Sequence, residues 1–304
     1  MTLGFIPVLE IGGTHVTAAW VEQDTWQAVT DSMTHLPLPA HGSRQELVSC
    51  FTEAARRLGS RPGTEWAVAI PGPFDYGLGI GLFEHVGKFD SLYGVDVRQE
   101  LMTQILPVPA FIHFLNDADA FGIGEYAAGA AKGHERAVCI TLGTGVGSVF
   151  LDSGEPRKTG PGLPPNGEAY RLNFRGRPLE DTISRRAIRQ AYARSTGMIP
   201  DPVPDVREIA ERSRAGDENA KLVLRNAFEC LGVALSTAVS GFDASVLVVG
   251  GSIARSWDIV EPAVRQGLMQ AVPALAELDV RPAGRPADAA LLGAAYWAAH
   301  HARR

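Results

Sequence analysis

Apolar and polar positions divide the chain into short apolar runs and longer runs with helical spacing. Residues 6–21, IPVLEIGGTHVTAAWV, read as an apolar strand, a tight turn of glycine and threonine, and a second apolar strand. Residues 137–151, AVCITLGTGVGSVFL, repeat that pattern at the start of the second half. A pattern that occurs twice predicts two related α/β domains rather than a solenoid. Between the two copies the sequence predicts a third strand over EQDTWQAV, a helix over 43–58 and a strand over WAVAI, 66–70. PGPFDYGLG follows as a loop. The apolar run PAFIHFL then ends in Asn116-Asp117, and a helical pattern runs from about 118 to 130. The second half carries helical patterns at 180–195, 205–214 and 217–240, a strand over SVLVVGG, 245–251, and a helix from near Trp257. The last helix, ADAALLGAAYWAAHHA, reads as small-residue rich and amphipathic. Residues 152–179 concentrate Pro and Gly and read as a long loop.

Composition adds bounds. With 304 residues, 45% hydrophobic and 20% charged, the chain can build two cores. No apolar run approaching the roughly 18 residues of a bilayer span stands out, so no membrane partner is expected. The N-terminus has no basic region ahead of its first apolar run, so no signal peptide and a cytoplasmic location are expected. The net charge of -6 argues against a nucleic-acid partner. The densest basic cluster, Arg185, Arg186 and Arg189, reads as a solvated helix face. Cys50, Cys139 and Cys230 lie far apart and read as reduced, buried thiols.

Candidate chemistry sits in the turns. Gly12, Gly13 and Thr14, and Gly143, Thr144, Gly145 and Gly147, can present backbone N–H groups to a phosphate. They can equally be hairpin turns, where glycine supplies φ > 0. Gly250, Gly251 and Ser252 end a strand ahead of a helix, a placement that suits a nucleoside or phosphate. Two matched turns and this third element together favour a nucleotide, although no Lys follows the glycines as it would in a Walker A loop.

Taken in order, EIGGTHVTAAWV, IPGPFD (70–75), LNDADAFGIGE, LGTGVGS and VVGGSIA resemble the ROK family of sugar kinases and sugar-responsive repressors, from Leu9 to about Trp297. The resemblance implies an α/β fold of two RNase-H-like (actin-like ATPase) domains with an interdomain active-site cleft. One domain would span 1–117, joined by a C-terminal helix at about 289–304, and the other 118–288. It also implies ATP-dependent phosphorylation of a hydroxyl, the primary one of a hexose, amino sugar or sugar-like cyclitol. Asp117 would be the general base, Asn116, Gly72 and Pro73 would hold the acceptor, and the three glycine elements would hold ATP. Asp117 could instead be only a helix cap. Mg²⁺ would bridge the ATP phosphates.

Three departures shape the expectation. Glu10 stands where the family has Asp, an acid that holds Mg-bound water. In GEAYRLNFRGRPLEDTIS, 167–184, Glu168 and Glu180 keep the two acidic positions expected to bind acceptor hydroxyls. Tyr170 and Arg171, however, replace Gly and His, and the zinc-ligand cysteines are absent. This resembles a zinc-free branch, with an acceptor other than plain glucose: an amino sugar such as kanosamine, an N-acetylated sugar or a C7-cyclitol. GLFEHVGKFDSLYGVDV, 81–97, replaces the family's Asn-Leu-Pro-Gly-Trp stretch, and His85 and Lys88 either face the substrate or lie in a surface loop. Family repressors add an N-terminal helix-turn-helix domain, which is not expected here because the first strand starts so close to Met1. A catalytically inactive sugar sensor is the remaining alternative. Family kinases are often dimers, so a homodimer is a further expectation.

Overall fold

Both halves of the sequence open with an antiparallel hairpin, and each hairpin seeds its own sheet. In the computed structural model, which describes residues 4–197 and 203–301, the chain divides into two units. The first is Met1–Gly129 with Ala287–Arg304, and the second is Ala130–Pro286.

In the first unit, strand Phe5–Ile11 pairs antiparallel with His15–Glu22, in a register that ends at Ile11 opposite Val16. Two parallel strands, Glu65–Ile70 and then Phe111–Asn116, continue the sheet on the other side of Phe5–Ile11. The shared register brings Glu10 level with Ala69, and Ala69 level with Leu115. The carboxyl ends of the three parallel strands therefore lie together, where ligands bind in open α/β sheets. Helix Arg44–Leu58 is fixed at its start by a capping box: the Ser43 hydroxyl accepts from the Glu46 N–H, and the Glu46 carboxylate accepts from the Ser43 N–H. It buries Leu47, Val48, Phe51 and Ala54 in a core that also holds Trp66 and Ile112.

Helices Asp117–Ala128 and Ala289–His301 pack closely on one another. Small residues permit the approach. A Cβ on Gly124 would collide with the backbone of Ala289, and one on Gly293 with the backbone of Ala120. The division between units consequently falls after helix Asp117–Ala128, not before it at the expected boundary of 117/118. The last helix is not amphipathic as expected. Leu291, Leu292, Gly293, Ala294 and Ala295 are consecutive buried residues, so its first turns are enclosed on all sides.

The second unit repeats the sheet order. Strand Arg136–Leu142 pairs antiparallel with Val146–Asp152, then parallel with Val246–Gly250, which pairs parallel with Asp279–Pro282. Helix Glu218–Gly241 buries Leu224, Phe228, Leu231 and Leu235 in this unit's core. Contrary to the expectation that no segment could span a bilayer, this 24-residue helix is long and apolar enough to do so. Its burial among the sheet and its neighbours identifies it as a core helix.

Three expectations need amendment. The third strand shrinks to Gln27–Ala28, because a turn occupies 23–26. The 152–179 segment is not a bare loop. It holds a two-residue strand, two 3₁₀ turns and the hairpin Asn173–Phe174 with Arg177–Pro178. Of the three free cysteines only Cys139 is buried, while Cys50 and Cys230 are half-buried.

Candidate active site

At the carboxyl edge of the first sheet, strand Phe111–Asn116 passes directly into helix Asp117–Ala128. Asn116 is the helix cap: its Oδ1 accepts from the N–H groups of Ala118 (3.0 Å) and Asp119 (3.2 Å). Its Nδ2 donates to the Tyr76 hydroxyl at 2.9 Å. Asn116 thus serves both of these first-turn N–H groups, and Asp117 shares only that of Ala118. Asp117 Oδ1 accepts from the Ala118 N–H at 2.9 Å. The residue keeps some accessible surface while protein crowds its remaining sides, and that burial raises its pKa. The positive charge of Lys88 and the Ala118 N–H oppose the rise.

Glu10 lies in the same neighbourhood. Burial raises its pKa from 4.5 to about 7, and the nearby charges of Asp117 and Asp288 push it the same way. Three acids thus gather beside the first glycine turn. Among the described residues no group of three or more His, Cys, Asp or Glu is placed to hold a metal directly. A divalent charge placed beside these acids would favour ionised Glu10.

Gly72 and Pro73 follow strand Glu65–Ile70 at the same edge. A Cβ on Gly72 would meet the Tyr76 hydroxyl at 3.3 Å and Asn116 Nδ2 at 3.9 Å, so these residues converge. Arg98 fixes the loop by donating to the carbonyls of Tyr76, Gly77 and Ile112, with its guanidinium over Phe111 and Phe114. Lys88 rides on a second tight loop. Asp90 Oδ1 accepts from the N–H groups of Val86 and Gly87, both at 3.1 Å, and buried Phe89 anchors its end by donating to the Ala40 carbonyl at 2.7 Å. His85 is exposed.

The glycine turns separate two readings of their composition. Gly12, Gly13, Gly143 and Gly145 are not among the glycines with positive φ, so hairpin geometry does not demand glycine there. A Cβ on Gly13 would meet nothing within 4 Å, and one on Gly143 would reach only Ser252 Oγ at 3.8 Å. Open space over a glycine with ordinary φ leaves room for close approach of a ligand. Thr14 and Thr144 are exposed at their turns. Gly147 and Gly250 both pair with Thr141, from opposite sides, which sets the second and third glycine elements next to each other. Gly251 differs: its φ is +86°, and a Cβ would collide with the backbone of Leu142.

Glu168 is held from behind. Buried Ser148 Oγ donates to the Gly167 carbonyl at 2.6 Å and accepts from the Ala169 N–H at 2.7 Å. The Glu168 carboxylate pairs with Arg171 Nε at 2.8 Å and accepts from the Tyr170 hydroxyl at 3.3 Å. Arg171 Nε also reaches the Tyr170 oxygen at 3.0 Å. The structure thus brings Glu168, Tyr170 and Arg171 together. Glu180 lies against the second glycine turn, with Oε1 only 2.5 Å from where a Cβ on Gly145 would sit. Sequence reasoning missed Tyr76 and Asp288, and it set Arg185 aside as surface. Their chain positions gave no signal, because the neighbours of each, Asn116 for Tyr76, Glu10 for Asp288 and Ser252 for Arg185, are brought to it only by tertiary packing within its own unit.

Comparison with known proteins identifies the family. The profile of the ROK family matches residues 7–301. A glucokinase of Thermotoga maritima is 23% identical, with the alignment covering 94% of this chain and 95% of the relative. The ROK hexokinase of Thermus thermophilus is similar at a TM-score of 0.72 and 25% identity, covering 96% of this chain and 97% of that one. A ROK family glucokinase from Streptomyces griseus, solved with glucose and AMPPNP, gives a TM-score of 0.76 at 22% identity, covering 98% and 100%. With nearly its whole length matched, the chain belongs to the ROK family.

Proposed function

We propose that this protein is an ATP-dependent sugar kinase in which Asp117 is the general base. One observation carries the reading: the helix after Phe111–Asn116 is capped by Asn116, so the adjacent, partly buried Asp117 carboxylate is not needed as a cap. Named glucokinase and hexokinase relatives of comparable length support the reaction class. The Asp117 carboxylate accepts the proton of an acceptor hydroxyl as that oxygen attacks the γ-phosphorus of ATP. The bond from the γ-phosphorus to the bridging oxygen breaks, and ADP leaves. Asn116, steadied by Tyr76, orients the acceptor with Gly72 and Pro73. Gly12, Gly13 and Thr14, Gly143, Thr144, Gly145 and Gly147, and Gly250, Gly251 and Ser252 hold ATP through backbone N–H and hydroxyl groups. Mg²⁺ bound to the phosphates would neutralise their charge, with Glu10 holding one of its waters.

Glu168, Tyr170 and Arg171 form an acceptor-recognition group, with Glu180 the second acid of the set. The Arg171–Glu168 pair supports an acceptor other than plain glucose, because a carboxylate already shared with a guanidinium has fewer lone pairs left for ring hydroxyls. The test is a screen of ATP consumption, with detection of the phosphorylated product, across hexoses, amino sugars, N-acetylated sugars and cyclitols. Turnover of one acceptor well above the rest is expected. ATP binding without turnover of any acceptor would favour an inactive sensor.

A further inference from the structure

Arg185 stands at the first position of the 12-residue helix Arg185–Thr196, behind its cap Ser184. Its backbone N–H donates to the Gly143 carbonyl at 3.1 Å, and its Nη2 donates to Ser252 Oγ at 3.2 Å. One residue therefore bonds both glycine elements, the second through its backbone and the third through its side chain. Its position is electrostatically unfavourable in isolation, since a cation at a helix N-terminus opposes the helix dipole. The compensation is incomplete: Asp205 Oδ1 lies 3.6 Å from Nε, beyond hydrogen-bond range. That Nε is buried and finds no hydrogen-bond partner among the described residues. A guanidinium has five N–H donors in a planar fork suited to phosphate oxygens. The glycine elements themselves contain no cation, and no Lys follows them as in a Walker A loop.

We propose that Arg185 binds the phosphate chain of the donor nucleotide, supplying the positive charge that the glycine turns lack. The proposal rests on those turns holding ATP. The test is calorimetric titration of the full-length wild type, Arg185→Met and Arg185→Lys with ATP, ADP and adenosine, with melting curves of each protein. Arg185→Met is expected to weaken ATP and ADP by roughly 10- to 100-fold, the scale of hydrogen bonds to a charged group. Adenosine binding should stay within about twofold of wild type, since it carries no phosphate. Arg185→Lys should fall between the two for ATP, because it keeps charge and loses the fork; it serves in place of Arg185→Met if that variant does not fold. Unchanged ATP affinity in a folded variant, or an equal loss for adenosine, would overturn the proposal while leaving the kinase reading intact. A wild type that binds neither ATP nor ADP would overturn the kinase reading and this proposal with it.

Discussion

Glu10 and Asp117 are carboxyl groups whose protons are held longer than usual, and each consequence can be measured. Glu10 is raised from 4.5 to about 7, first by burial and then by Asp117 and Asp288. The folded protein binds that proton more tightly than the unfolded chain does. The resulting stability is full below the unfolded value and is lost as pH rises through about 7. Without ligand, the melting temperature should fall as pH is raised across that window, and Glu10→Gln should flatten the slope. An unchanged slope in Glu10→Gln would place its origin elsewhere. Asp117 must be ionised to act as a base, and Lys88 is the side-chain charge that favours its ionised form. Lys88→Met should therefore raise the Asp117 pKa further and move the acid limb of the kcat/KM profile to higher pH. A limb that stays in place would confine Lys88 to its loop.

At the scale of elements, the sites depend on a few close approaches. Gly251 turns at φ +86° against the Leu142 backbone, which lets the third glycine element lie beside the second. Gly251→Ala should cost about 1–3 kcal/mol in strain alone, with more from the collision, and it should weaken nucleotide binding. Chemical denaturation and ATP titration of the variant measure both. Much of this layer was legible in the sequence. The two hairpins, helix 43–58, strand 66–70 and the Asn-Asp strand end follow from apolar periodicity and turn residues. The short edge strands Thr34–Pro37 and Asp279–Pro282 were not, because both run into proline and have too few residues to show alternation. The ends of the third strand were misread because Thr25 and Trp26 have high strand propensity, whereas Trp26 adopts φ +50° in a turn. Asn116 as the cap, and Asp117 beside it, could not be told apart in the sequence, since both residue types cap helices equally well. The approach of Lys88, Asp288 and Tyr76 to the site depends on packing between segments far apart in the chain, which local pattern does not encode.

For the whole molecule, two units share one sheet order, and each carries a glycine turn at the tip of its opening hairpin. This is the repeat seen in the sequence, now expressed as topology. Membership of the ROK family over residues 7–301 accounts for the fold. Under the proposed function, Tyr170 and Arg171 are where acceptor choice would diverge within it. Whether the chain performs phosphoryl transfer through Asp117 is decided most directly by steady-state kinase assays of Asp117→Asn with the best acceptor from the screen. Asn116 remains in place to cap the helix, so the variant should melt as the wild type does and should bind ATP and acceptor. An amide cannot take the hydroxyl proton, so turnover should fall by about 10²- to 10⁴-fold. A well-folded Asp117→Asn protein with near-normal turnover would contradict base catalysis by Asp117.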